Sequence, residues 1–136
     1  MSEMLELAER CERLEGPNYA IEVEIFKAIH PEYADYVQGR GGLVHRFDGS
    51  DQRVLSDIRP GNYTASLDSA MTLVPAGSDI MVDNFDGPHN KRCSASVYSP
   101  PSKGTENKGY GKTPALALTA ACLRARHHLE NSDAQG

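Results

Sequence analysis

Apolar side chains repeat at the spacing of an α-helix in two segments near the start of the chain. In the first segment, 4–14, apolar residues recur every three or four positions. In the second, 18–29, Ile21, Ile25 and Ile29 share one face, and the first residue is an asparagine, which is a suitable N-cap. A short turn separates the two patterns, and it predicts an antiparallel helical pair.

The pattern changes to alternation farther along the chain, which predicts β-strands. Two segments, 79–85 and 91–99, are predicted to be strands joined by a turn at 86–89. In the second strand small apolar residues alternate with polar ones, so we expect one buried face and one polar face. The apolar set is Cys93, Ala95 and Val97, and the polar set is Arg92, Ser94, Ser96 and Tyr98.

Two more helices are predicted, a short one within 63–75 and a long one that begins at Pro114. Thr113 is placed to cap the long helix, with proline at the first helical position. From 115 to 123 this helix is apolar almost all round, so we expect it to be buried in the core or in the seam of a homodimer. In the short helix, four residues are expected to face inward: Leu67, Ala70, Met71 and Val74.

The remaining segments lack a clear period. We expect 31–62, which is rich in glycine, to be irregular apart from a short strand at 43–47, and 100–108 to be a loop. Because two strands seldom make a stable sheet, a third is expected from 43–48 or from a partner chain. The predicted fold is a single α/β domain, 1–136, with a small antiparallel sheet sandwiched by helices. An N-terminal helical hairpin, a buried C-terminal helix and a frayed tail at 131–136 complete it.

Composition narrows the function classes. The 136 residues carry a net charge of −5, which argues against a nucleic-acid duplex as the partner. No apolar run is long enough to cross a bilayer, and the acidic start of the chain is unlike a signal peptide. The three cysteines have no paired spacing, as is typical of a protein in a reducing cytoplasm.

Two stretches together resemble a known family. Residues 63–75, with Tyr63-Thr64-Ala65-Ser66-Leu67-Asp68, and residues 111–125, with Gly111-Lys112-Thr113-Pro114-Ala115-Leu116, are similar to the phage ABA-sandwich family of small bacteriophage and prophage proteins. The resemblance covers 63–126 and, more loosely, the N-terminal helices. It implies a helix–sheet–helix sandwich and a viral source. Together with the cysteine pattern, a viral source makes the host cytoplasm the expected location. The family has no established catalytic residues, so the resemblance implies no catalytic role.

The residues themselves offer no catalytic constellation. Gly111-Lys112-Thr113 before a helix suggests a P-loop, but that motif needs glycine where Glu106 stands, and Pro114 removes an amide from the first turn. The histidines lack the paired spacing of a zinc site, and Cys93 is expected to face the core rather than solvent. We therefore expect no enzyme activity, no metal and no cofactor.

The strongest candidate site is the lysine-bearing loop that leads into the last helix. Helix N-termini attract anions through their unpaired amides, glycines permit close backbone approach, and a tyrosine offers a ring on which a base could stack. The candidate anion-binding residues are Lys108, Gly109, Tyr110, Gly111, Lys112 and Thr113, with Arg92 and Tyr98 as additional contacts.

Two functional hypotheses follow. In the first, a non-enzymatic phage accessory protein binds, and so sequesters, an anionic nucleotide-like signal of host defence. In the second, the protein is an interaction module whose acidic first helix contacts a basic surface on a host protein, which it inhibits or redirects.

Overall fold

The computed structural model describes residues 3–31, 36–39, 42–46, 53–55, 61–83, 93–99 and 105–135. The elements in these ranges are α1 (Glu3–Arg13), α2 (Tyr19–Ile29), β1 (Tyr36–Gly39), β2 (Gly42–Arg46), β3 (Arg53–Leu55), α3 (Leu67–Met71), β4 (Asp79–Asp83), β5 (Cys93–Ser99), β6 (Thr105–Gly111) and α4 (Pro114–Gln135). The predicted class is confirmed: the chain is mixed α/β, and its helical pair and C-terminal helix pack with an antiparallel sheet.

The N-terminal helical pair forms as its apolar periodicity predicts. Asn18 caps α2, because its side chain accepts a hydrogen bond from the N–H of Ile21 at 3.0 Å. The guanidinium of Arg10 on α1 lies 2.9 Å from the carboxylate of Glu24 on α2. The two helices bury their apolar faces in the common core.

A three-stranded sheet has the order β4-β5-β6, with both strand pairs antiparallel. Its third strand comes from 105–111 and not from 43–48 or a partner chain. The prediction of a loop over 100–108 is therefore wrong from residue 105 onward. The apolar signal was missing because the strand carries Asn107, Gly109 and Gly111 on the face that meets α4.

Helix α4 forms the centre of the core. Its residues from Ala115 to Leu123 are at most 4 % exposed. One side of α4 contacts β5 and β6, and other sides contact α1 and α3. Contacts within a single chain thus account for its apolar circumference, which does not require the seam of a homodimer.

Two helices depart from the predicted detail. Helix α3 has only five residues, and Leu67 and Met71, which were expected inside, are 39 % and 44 % exposed. The other two predicted inward residues do face the core, since Ala70 is buried and Val74 packs against it, and Tyr63 and Leu73 are buried beside them. Helix α4 continues to Gln135, so residues 131–135 are helical rather than frayed.

The region 31–62, predicted to be irregular, contains a second antiparallel sheet in the order β1-β2-β3. The strand expected at 43–47 is confirmed within β2. Among the described residues, no strand of this sheet pairs with β4, β5 or β6. The turn predicted at 86–89, and residues 84–85, 91–92 and 100–104, lie outside the described residues.

Candidate functional site

One face of the sheet β4-β5-β6 packs on α4, and the other carries the larger polar side chains. The register aligns this second face in three rows, one residue from each strand in every row. Neighbours across a strand pair share a face. We call the following nine residues the open face: Asp79, Tyr98 and Glu106 in the first row, Met81, Ser96 and Lys108 in the second, and Asp83, Ser94 and Tyr110 in the third.

The open face has the form of a shallow trough along β5. Ser94 and Ser96, which the alternation placed on an exposed polar face, are only 7 % and 6 % exposed. Their short side chains lie between longer ones on β4 and β6. Met81, on the β4 side of the trough, is 55 % exposed and is the most exposed large apolar side chain among the described residues.

The electrostatics of the open face are mostly acidic. It carries three carboxylates, on Asp79, Asp83 and Glu106, and one ammonium group, on Lys108. The hydroxyl of Tyr98 donates a hydrogen bond to a carboxylate oxygen of Glu106 at 2.9 Å. That hydrogen bond raises the pKa of Tyr98, because it favours the protonated phenol.

Lys108 and Tyr110, predicted as ligand contacts, are close together on the open face. The ammonium nitrogen of Lys108 lies 5.6 Å from the centroid of the Tyr110 ring, within the range of a cation–π contact. Tyr98 shares this face but lies two rows away from Tyr110, which is about 14 Å at the usual rise and strand spacing. The structure thus brings together two of the predicted residues and leaves the third at the far end.

The two glycines of the predicted site face α4 instead of a ligand. A Cβ atom on Gly109 would lie 2.5 Å from the backbone nitrogen of Ala121. A Cβ atom on Gly111 would lie 2.7 Å from the Cβ of Leu116 and 2.8 Å from the backbone nitrogen of Ala117. Both glycines are therefore needed for the close approach of strand and helix.

Of the other predicted ligand residues, two make contacts that stabilise the fold and one lies outside the described residues. The ammonium of Lys112 forms an ion pair with the carboxylate of Glu15. Thr113 caps α4 as predicted, since its hydroxyl accepts a hydrogen bond from the N–H of Leu116 at 3.2 Å. Arg92 is outside the described residues.

Sequence reasoning missed a network that covers the outer edge of β6. Glu12 on α1 accepts hydrogen bonds from Arg124 on α4 at 2.6 and 2.8 Å, and also from the backbone N–H of Tyr110 at 2.9 Å. Arg124 also donates to the carbonyl of Lys108 at 2.9 Å. Hydrogen bonding to Glu12 raises the pKa of Arg124 further. The partners are about a hundred residues apart in sequence, so no local pattern indicates this contact.

The hydrogen bond from Tyr110 to Glu12 also shows which way the backbone groups of the sheet point. The N–H of Tyr110 points away from β5, so Tyr110 and Ser94 form a non-hydrogen-bonded pair. The backbone groups of Ser94 then point toward Asp83 on β4. By alternation, the groups of β4 that point away from the sheet are those of Ile80 and Val82.

The buried thiols are poor candidates for catalysis. Burial raises the pKa of Cys11 and that of Cys122 to about 12, and it also raises the pKa of Cys93. A thiol that stays protonated is a weak nucleophile. Within the described ranges, no group of three or more histidine, cysteine, aspartate or glutamate residues is arranged to hold a metal ion.

The buried carboxylate of Glu22 has a structural role. It is 5 % exposed and accepts hydrogen bonds from the backbone N–H and the hydroxyl of Thr64, at 3.0 and 2.6 Å. The Thr64 hydroxyl oxygen in turn accepts a hydrogen bond from the backbone N–H of Asn18 at 2.8 Å. These bonds connect the start of α2 to the segment before α3.

Comparison with protein-family models, with curated proteins and with solved structures gives no match. In the part of the chain that the structure describes, no helix has both the length and the apolar character to cross a bilayer.

Proposed function

We propose that this protein is a non-enzymatic binding protein of a bacteriophage, and that it recognises a host protein through the open face. The surface of the host protein that binds here carries an apolar group that contacts Met81, and basic groups that pair with the carboxylates around Met81. The exposure of Met81, at 55 % in the middle row of a face with three carboxylates and one ammonium group, is the observation that carries this proposal.

The composition of the open face supports a protein partner. Methionine and tyrosine are enriched in protein interfaces, and the face places Met81, Tyr98 and Tyr110 within one sheet surface. Methionine also adapts its shape to a bound surface. The resemblance of residues 63–126 to a phage family supports a viral source and hence a host partner.

The acidic first helix has less support as the contact surface. Glu12 on this helix binds Arg124, and Glu15, just after the helix, pairs with Lys112. Arg10 pairs with Glu24 across the helical pair. On the open face, carboxylates lie beside an exposed apolar side chain, Met81.

The test compares two methionines of similar exposure. A photo-crosslinking amino acid is placed at position 81 in one protein and at position 71, which is 44 % exposed on α3, in another. We expect a specific host protein to crosslink from position 81 only. The purified partner should then bind at least tenfold more weakly to Met81→Arg, and equally to Met71→Arg. Crosslinking from both positions, or equal binding by the two variants, would refute the proposal.

A specific contact favours a second candidate function, the binding of an anionic nucleotide. The Lys108 ammonium beside the Tyr110 ring offers a charge for a phosphate and a ring for a base. A nucleotide at a hundred times its Kd would add about 2.7 kcal/mol of stability, or about 9 °C in melting temperature. We expect Lys108→Ala to abolish that shift and Lys112→Ala, whose native ammonium group pairs with Glu15, to retain it. Equal shifts in both variants would exclude this site.

A further inference from the structure

The two edges of the sheet β4-β5-β6 differ in how they are covered. At the β6 edge, Glu12 accepts from the N–H of Tyr110, and Arg124 donates to the carbonyl of Lys108. At the β4 edge, the outward backbone groups belong to Ile80 and Val82. In the part of the chain that the structure describes, these groups make no hydrogen bond to another strand, helix or side chain. A sheet edge whose backbone groups have no hydrogen-bond partner is a template for an added strand.

We propose that the β4 edge binds an extended basic segment of the partner protein as a fourth, antiparallel strand. The proposal rests on the proposed function, because it describes how the host protein engages the sheet beside the open face. Ile80 and Val82 would exchange backbone hydrogen bonds with the added strand. Met81 and the two aspartates would then lie opposite its side chains.

The register of β4 specifies the chemistry of the added strand. Asp79, Met81 and Asp83 would form non-hydrogen-bonded pairs, in which side chains approach most closely. Opposite charges in such pairs are favourable, and like charges are not. The matching segment therefore has a basic residue, an apolar residue and a basic residue at alternate positions. Its two intervening residues face the side of Ile80 and Val82, which are partly buried, so they are apolar or β-branched.

The same register disfavours a second copy of this chain as the occupant. An antiparallel β4 pair centred on Met81 would place Asp79 of one chain opposite Asp83 of the other, at both ends of the pair. Like charges directly opposite one another are destabilising, and charged edge residues commonly prevent self-association. Charge complementarity thus selects a basic strand from a different protein.

The test uses a synthetic peptide, acetyl-Gly-Lys-Val-Leu-Val-Lys-Gly-amide, and the intact protein labelled for NMR. We expect saturable binding, with slowed hydrogen exchange at the amides of Ile80 and Val82. A peptide with both lysines replaced by glutamate should bind at least tenfold more weakly. A peptide with N-methyl groups on the amides that face β4 should bind at least tenfold more weakly as well, because it cannot form the ladder.

Charge exchange provides the matched variants. Asp83→Lys should weaken binding of the lysine peptide at least tenfold and strengthen binding of the glutamate peptide. Glu6→Lys, an equal charge change at an exposed site on α1, should alter the affinity for neither peptide. Binding that is insensitive to N-methylation, or no protection at Ile80 and Val82, would overturn the edge proposal. If that happens while Met81→Arg still abolishes partner binding, the open-face function stands and only the strand addition fails. If the peptide binds as expected but position 81 crosslinks no partner, the open-face function fails and the edge chemistry remains.

Discussion

Replacement of Gly109 by alanine tests whether the glycines before α4 are present for packing or for a ligand. In the structure, the added Cβ would lie 2.5 Å from the backbone nitrogen of Ala121, and this part of α4 is fully buried. A backbone atom cannot move aside as the end of a flexible side chain can. The strand and helix must therefore separate by several tenths of an ångström.

The expected cost follows from the close packing of protein interiors. Overpacking of a filled core typically costs 1–3 kcal/mol, and we expect the upper end, about 3 kcal/mol, because the contact is with backbone. For a chain of 136 residues, the usual unfolding entropy converts this loss into a decrease of about 10 °C in melting temperature.

Gly16→Ala is the matched control, since a Cβ atom at that position meets nothing within 4 Å. Alanine there should leave the stability unchanged or raise it by about 0.4–1 kcal/mol through the entropy of the unfolded chain. Chemical denaturation and thermal unfolding of both variants, monitored by circular dichroism, measure the difference. If Gly109→Ala were as stable as Gly16→Ala, the close approach of β6 and α4 would be refuted, and a ligand-binding role for this glycine would regain support.

Two further predictions concern the interior of the fold. Glu12→Gln should lower the free energy of unfolding by about 2–3 kcal/mol, because it leaves the largely buried guanidinium of Arg124 without its counter-charge. Glu24→Gln, in the half-exposed ion pair with Arg10, should cost less than about 1 kcal/mol by urea denaturation. Equal losses in the two variants would contradict the network of Glu12 and Arg124 at the β6 edge. Burial raises the pKa of the Cys11 and Cys122 thiols from 9.0 to about 12. Between pH 9 and 12 these thiols stay protonated in the folded state, whereas they ionise in the unfolded chain. The free energy of unfolding should therefore fall by about 1.4 kcal/mol per pH unit for each thiol over this range. Alanine at both positions should reduce this dependence of stability on pH, as measured by denaturation curves at alkaline pH. An unchanged dependence would show that other ionisable groups cause it.

Local sequence patterns were sufficient to predict the elements whose apolar spacing or capping residues lie within the element itself. The spacing of isoleucines in α2 with its asparagine cap, and the Thr113-Pro114 start of α4, act over one or two turns, and the structure confirms both. The alternation in β5 likewise predicted which residues enter the core. These features depend on residues a few positions apart, so the sequence displays them directly.

The open face and the covered edge of β6 depend on residues that only the folded chain brings together. The strand β6 lacks apolar side chains on its inner face, because glycine there lets α4 approach so closely that the helix fills the space. Strand prediction from sequence depends on apolar side chains in the strand itself. It does not detect a strand whose inner face is filled by the side chains of a neighbouring helix. For that reason the sequence predicted a loop at 100–108 and ligand contacts at 108–113, where the tertiary structure has the edge strand β6, Thr105–Gly111.

The sequence by itself determined that four helices form, the caps of α2 and α4, and the faces that α2 and β5 bury, since these depend on local spacing. The tertiary structure alone decided how the predicted site residues are divided. It turned Gly109 and Gly111 toward the core, paired Lys112 with Glu15, and left Lys108 and Tyr110 on the open face. Strand register and helix packing set these directions, and both arise from contacts between segments that are far apart along the chain.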